Sequence, residues 1–456
     1  MPPLSSPNLI ANAGFALAEA GGPHSWQTQG SASLVETLDV DDAGLPHASR
    51  AVRLSQSDRI RQTVALPNAE RQRYAFRLVG RASEPDTTFS IAIDTAGMVI
   101  ASHTFTVGSK WSRCRFEVEI DSDRETSVTV EIAGPDIAGP NVQITDVRMV
   151  ALYDTGLGGR APFPIRFVTR GDFGLPSSRL RAYLMADYLD LIGWPASVNE
   201  DGRADLVVFQ KVRRWGLFMR SRLAGAASLF DLDDNEVLRS RRWAIDIRLF
   251  SGAVDGITAG SEFLLERMTA WNNTAFLLDN MVDVLDADIR RDNRPWQGRL
   301  VWFGMPENAW CVDGIAAGKP VTRITRGGDI EFHVKTIDRH LTEFDLALLP
   351  MPLNEATKAK NGNRLVKCAA LGLPVLASDT PENRRAAARL GIADTVLVKD
   401  DEDWRTRIDA AAANYGAFCA EMSRARDRAL AIYGREQIVA DWLRFCADLV
   451  TGKMPA

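Results

Sequence analysis

Residues 164–193 read "PIRFVTRGDFGLPSSRLRAYLMADYLDLIG". A continuous apolar strand runs into a glycine-containing turn and then into a helical pattern. That is the unit of a parallel sheet whose two faces are covered by helices. Downstream, "ADLVVFQKV" (204–212) and "AASLFDLDD" (226–234) repeat the strand half of the unit. A second series follows "DADIRRDNRPWQG" (286–298): "RLVWFG", "PVTRITR", "FDLALLP", "PVLASD" and "DTVLVKD", the last at 394–400. Two α/β domains in tandem are therefore expected, at 165–284 and 285–456.

Upstream the pattern differs. Phe89, Ile91 and Ile93, then Phe116, Val118 and Ile120, then Val128, Val130 and Ile132 alternate with small, polar or charged residues. Period two marks half-buried strands, and turn clusters such as "GPDIAGPN" (134–141) separate them at the spacing of an antiparallel sandwich. The expected order is a β-sandwich over 1–153, a Gly/Pro-rich linker over 154–164, and two Rossmann-like domains.

Composition narrows the function classes. The chain has 456 residues, 46% of them hydrophobic, enough for several cores. A net charge of -5 argues against a bulk nucleic-acid binder. Cys114, Cys311, Cys368, Cys419 and Cys446 are odd in number, widely spaced and without a CxxC pair, which reads as reduced thiols in a cytosolic protein. The N-terminus lacks a basic n-region and carries Asn8, Asn12 and Glu19 where a secretory core would be unbroken. No segment reaches the ~18 apolar residues of a membrane span. The five histidines, His24, His47, His103, His333 and His340, do not sit at metal-ligand spacing.

Paired open sheets bind ligands in the cleft at the carboxyl ends of their strands. "FDLALLP" ends at Pro350, and after a loop a helix is expected from Asn363 to a glycine stop at Gly372. "KAKNGNRLVKCAALGLPVLASD" (358–379) thus sets Lys360 and Arg364 beside a helix N-terminus, where free N–H groups and the dipole suit a phosphate. The alternative is a set of solvated surface charges. In the first α/β domain Gly171 and Gly174 precede a helix capped by Ser177 or Ser178, a turn whose backbone can approach phosphates or an acceptor. "FDLDDN" (230–235) clusters Asp231, Asp233 and Asp234 at a strand end, suited to a base, to capping the next helix, or to pairing with Arg239, Arg241 and Arg242.

Residues 345–385 resemble the donor-binding segment of bacterial GT-B glycosyltransferases, in which a "DIGLxP" strand, a basic loop and "hxALGLPVVAS" recur in order, and 344–379 is the most specific part. The resemblance extends over roughly 165–446. It implies sugar transfer from a nucleotide diphosphate sugar to a glycan or glycoconjugate acceptor, without a protein-bound metal or other cofactor. The donor-binding residues so implied are Gly304, Lys360, Asn363, Arg364 and Lys367. Gly171, Ser178, Arg179 and Lys211 are implied as acceptor or phosphate contacts, and Asp233 is the expected base. One departure stands out: many retaining members carry Glu-x7-Glu, and those positions here hold Ala359 and Lys367. Either the donor contacts are rearranged, or the scaffold is a non-catalytic, lectin-like binder.

The N-terminal "NLIANAGFA" and the closing "VQITDVRMV" resemble the first and last strands of jelly-roll carbohydrate-binding modules. Such modules often hold a structural calcium on terminal-strand oxygens, and Asp146 matches a recurring position there. Trp26 and Trp111 are either sugar-stacking platforms or core residues, with the core favoured by context. Finally, residues 211–222 hold Lys211, Arg213, Arg214, Arg220 and Arg222 with no acid, interleaved with Trp215, Leu217, Phe218 and Met219. Three readings apply: peripheral contact with an anionic membrane at the inner face, contact with a phosphate-bearing acceptor, or a solvated helix with a packed aromatic face.

Overall fold

The computed structural model describes residues 7–11, 18–19, 22–23, 25–37, 50–67, 72–95, 97–121, 126–153, 161–285, 288–313, 315, 318–399 and 403–452. Residues 154–160 of the expected linker, with Asn12, His24 and His47, lie outside them. The chain divides into two units, Pro2–Arg160 with Asp187–Trp194, and Ala161–Ala186 with Pro195–Ala456.

The first unit holds two five-stranded antiparallel sheets. One orders Ser112–Ile120, Gln72–Ala82, Val142–Leu152, Arg50–Leu54 and Ser33–Glu36; the other orders Gln27–Gln29, Arg59–Ala65, Ser127–Ala133, Thr87–Thr95 and Met98–Val107. The period-two residues account for the core, because alternate side chains of a strand share a face. Phe89, Ile91, Ile93, Val118, Ile120, Val128, Val130 and Ile132 are all buried in one cluster, with Phe116 packed at its margin. Trp26 joins that cluster, and Trp111 packs with Ala51 and Val79 in a smaller one, so both tryptophans are core residues. Arg77, fully buried on Gln72–Ala82, forms two hydrogen bonds to the Asp187 carboxylate at 2.8 and 2.9 Å.

Asp146 sits at a bulge in Val142–Leu152 with φ +50°, a conformation that non-glycine residues seldom adopt. Its charge favours the Arg77 guanidinium. Among the described residues no group of three or more His, Cys, Asp or Glu side chains could hold a metal ion.

The second unit contains two parallel six-stranded sheets. The first orders Ala196–Val198, Ile165–Thr169, Leu206–Gln210, Ala227–Leu232, Gly256–Ala259 and Ala275–Leu277. The second orders Ile330–Glu331, Val321–Thr325, Leu300–Phe303, Leu346–Leu349, Val375–Ser378 and Leu397–Val398. Central strands such as Leu206–Gln210 and Leu346–Leu349 are buried at every position, as continuous apolar runs require. "DTVLVKD" yields only a two-residue edge strand, since Ala393–Val396 closes a helical turn before it. The last helix, Arg435–Thr451, packs on the first sheet although the boundary at 285 assigns it to the second domain. Trp442 stacks on Phe167 with centroids 5.6 Å apart, and a Cβ on Gly256 would stand 2.9 Å from Leu449.

Candidate functional site

The helix Asn363–Leu371 starts beyond the carboxyl end of Leu346–Leu349 and stops at Gly372, whose φ of 67° is the left-handed geometry of a glycine C-cap. Asn363 and Arg364 occupy its first turn, where backbone N–H groups have no intrahelical partner. Arg364 is partly buried, and its only described hydrogen bond runs to the Phe303 carbonyl at 3.1 Å. Burial lowers its pKa, and its titratable neighbours are the Cys368 and Cys311 thiols, which burial keeps neutral, rather than a carboxylate. The guanidinium therefore lacks a counter-ion among the described residues. Gly304 explains how it fits, since a Cβ there would stand 3.2 Å from Arg364 Nη1 and 2.9 Å from the Trp302 ring.

The neighbouring cation, Lys367, has a different fate. It is buried and bonded to the Asp283 carbonyl and the Asp338 carboxylate. Asp283 in turn receives both forks of Arg179, at 3.0 and 2.8 Å. Burial alone would raise the Asp283 pKa, but Arg179 and Lys367 outweigh it and hold the carboxyl below its usual range. Arg179 also donates to the Phe173 and Gly174 carbonyls at 3.1 Å, so it braces the turn that Gly171 opens. Gly171 is required there, because a Cβ would meet the Ser178 hydroxyl at 2.6 Å. Ser178 is buried and bonded to Thr169 at 2.8 Å. The structure thus brings Arg179 and Lys367 together through Asp283, a residue the sequence reading did not single out. Its only signal was its place as the middle of three aspartates in the "DNMVDVLD" crossing (279–286) between the sheets.

A second cluster lies at the strand end of Ala227–Leu232. Lys211, at φ +57°, extends its ammonium to Ser177 at 2.8 Å, Asp233 at 2.7 Å and Asp234. A strained non-glycine backbone of this kind persists where the surroundings over-determine it, and such positions concentrate at functional sites. Lys360 completes the cluster by pairing with Asp234, and Asn235 donates to the Glu355 carbonyl at 2.9 Å. The loop before Asn363 is thereby tied to the first sheet's domain, and Ala359 is buried in that domain's apolar cluster. Asp233 is buried against Lys211, and would act as a base only if that ammonium moved away.

Burial alone would raise the Asp234 pKa, but Lys211 and Lys360 outweigh it and hold the carboxyl below its ordinary value. A group whose folded pKa is depressed contributes stability above its unfolded value near ~3.9 and loses it as pH falls through the lower folded value. Asp234→Asn should lower the melting temperature at neutral pH. The gap from wild type should close as pH falls below about 4, whereas a gap constant throughout the acid range would contradict the assignment.

In the basic segment, Lys211 and Arg213 are spent on ion pairs, Arg213 with Asp246 at 2.7 Å and over the Trp243 ring at 4.0 Å. Phe218 is buried, and Trp215 donates to Asp246. His103 stacks on Phe116, and His333 accepts from the Lys335 amide. All five cysteines are free. No helix among the described residues is long and apolar enough to cross a membrane.

No family model matches the chain, and no curated protein matches its sequence. Several solved structures are similar in fold. A glycosyltransferase from Rickettsia africae is 9% identical with a TM-score of 0.49, covering 65% of this chain and 100% of that one. Sucrose-phosphate synthase from Thermosynechococcus elongatus is 10% identical with a TM-score of 0.48, covering 63% and 99%. The module TmCBM61, solved in complex with β-1,4-galactotriose, is 21% identical with a TM-score of 0.25 and covers 32% of this chain and 98% of its own.

Proposed function

We propose that this protein is a glycosyltransferase that moves a sugar from a nucleotide diphosphate sugar to a glycan or glycoconjugate acceptor. The observation that carries the reading is Arg364, a guanidinium without a carboxylate partner on the first turn of a helix at the carboxyl end of a parallel sheet. A diphosphate supplies the missing charge. Helix N–H groups and a fixed cation would stabilise the negative charge that develops on it as the sugar leaves. Lys360 can join them by exchanging Asp234 for phosphate, because that ion pair is half-exposed and weak. Release of Lys360 would loosen the hold on Asp234 and shift Lys211 relative to Asp233, the proposed base.

The sandwich takes the acceptor in this reading. A groove of about 610 Å³ crosses one sheet and is lined by Gln27, Arg61, Thr63, Asp94, Thr129 and Glu131 among others. This polar lining favours recognition by hydrogen bonds over stacking. A second reading, a non-catalytic glycan binder on the same scaffold, is favoured by Lys367 and Ala359. One is locked into buried ion pairs and the other into an apolar core, at the positions where the resemblance places two glutamates.

Incubation with a panel of nucleotide diphosphate sugars separates the two. The transferase reading expects slow release of a nucleoside diphosphate from one donor, with water as acceptor, and faster release when the glycan acceptor is added. Absence of turnover on every donor, with and without acceptor, would leave the binder.

A further inference from the structure

We infer that the outer face of the helices Trp215–Leu223 and Arg241–Ala253 is a docking surface for an anionic lipid bilayer. This inference does not depend on the transferase reading.

The two helices follow successive parallel strands and cover the same side of the first sheet, as right-handed crossovers require. Phe218 from one and Ile247 and Phe250 from the other enter a single buried cluster. They run side by side: Trp215 meets Phe250 edge-on at 5.0 Å near one end, and Arg222 donates to the Ala253 carbonyl near the other. Their remaining sides form one continuous exterior.

That exterior is both apolar and basic. Met219 and Leu223 lie one turn apart on the first helix, and Ile245 and Leu249 one turn apart on the second, with Leu223 85% and Leu249 60% exposed. Arg214, Arg220, Arg241, Arg242 and Arg248 are exposed between and beside them and form no ion pair among the described residues. The acids of these two helices and the turns that end them do not compete: Asp246 is held by Arg213 and Trp215, and Asp255 by Arg222 and Ser228.

In a chain of net charge -5, five unpaired arginines on one face are an imbalance that solubility does not require. Charge complementarity selects the occupant. An anionic leaflet attracts every arginine at once, while four exposed aliphatic side chains and Trp215 reach the acyl boundary, where arginine stems can lie along the apolar layer. A free phosphate would engage only one or two of these arginines and would leave the apolar side chains unused.

The test is co-sedimentation of the full chain with vesicles of equal parts phosphatidylcholine and phosphatidylglycerol. Wild type should sediment with these vesicles, should not sediment with phosphatidylcholine alone, and should be released as ionic strength rises. Arg241→Glu, Arg242→Glu and Arg248→Glu combined should weaken binding by at least about a hundredfold, and Leu223→Ser with Leu249→Ser should also reduce it. All five positions are exposed, so the circular dichroism melt should be unchanged in both variants. Failure of wild type to sediment with the anionic vesicles would overturn the proposal, as would binding unaltered by the charge reversals. Should Leu223→Ser with Leu249→Ser abolish a concentration-dependent dimer while vesicle binding is absent, the face would be reassigned to contact between copies of this chain.

Discussion

Asp187→Ala should destabilise the sandwich unit by about 3–5 kcal/mol, the cost of leaving a buried charge without its partner. Arg77 is fully buried, and Asp187 accepts two hydrogen bonds from its guanidinium. Asp190, 3.8 Å from the same guanidinium, is the nearest substitute and is too far to hydrogen-bond. For a unit of this size the loss corresponds to a melting shift of roughly 6–20 °C. Arg77→Met combined with Asp187→Leu should recover most of it, because a well-packed apolar pair often replaces a buried ion pair at little cost. A melt in which Asp187→Ala coincides with wild type would show that the pair contributes nothing. A fragment ending at residue 155 lacks Asp187. Such a fragment should fold better as Arg77→Met than as the wild-type sequence.

Arg364→Ala should weaken nucleotide diphosphate binding ten- to hundredfold while leaving the melting temperature nearly unchanged. A charge-assisted hydrogen bond to phosphate contributes on the order of 1.5–3 kcal/mol. Within the folded protein the side chain gives up only its bond to the Phe303 carbonyl. It is also a partly buried cation without a counter-ion, so its removal relieves a desolvation cost. Calorimetry reads the affinity and a thermal melt reads the stability. Unchanged affinity, or a collapse of the fold, would remove Arg364 from the donor site.

Much of the fold was legible because burial imposes a period. Strands buried on one face alternate, as at Phe89, Ile91 and Ile93, and strands buried on both are continuous, as at Leu346–Leu349. Sequence reading fails where partners are distant. Arg179 and Lys367 looked like ligand contacts because each lies near a helix start or a cleft, yet both converge on Asp283 from different domains. Arg77 was one basic residue of a strand, and nothing near it in the chain announces Asp187. The C-terminal helix carries no signal that it returns to the first sheet, since Trp442 and Leu449 read as ordinary apolar positions. The position of Arg364 at a helix start was legible because helix start, glycine stop and preceding strand are all local, whereas its lack of a counter-ion is visible only in three dimensions.

A crystal structure with a bound nucleoside diphosphate shows whether the N-terminus of Asn363–Leu371 holds a diphosphate. Phosphate oxygens should lie within hydrogen-bond reach of the Arg364 guanidinium and the backbone amides of Asn363 and Arg364, with Lys360 turned away from Asp234. A nucleotide seated elsewhere, with Arg364 still bonded to the Phe303 carbonyl and Lys360 still paired with Asp234, would contradict it.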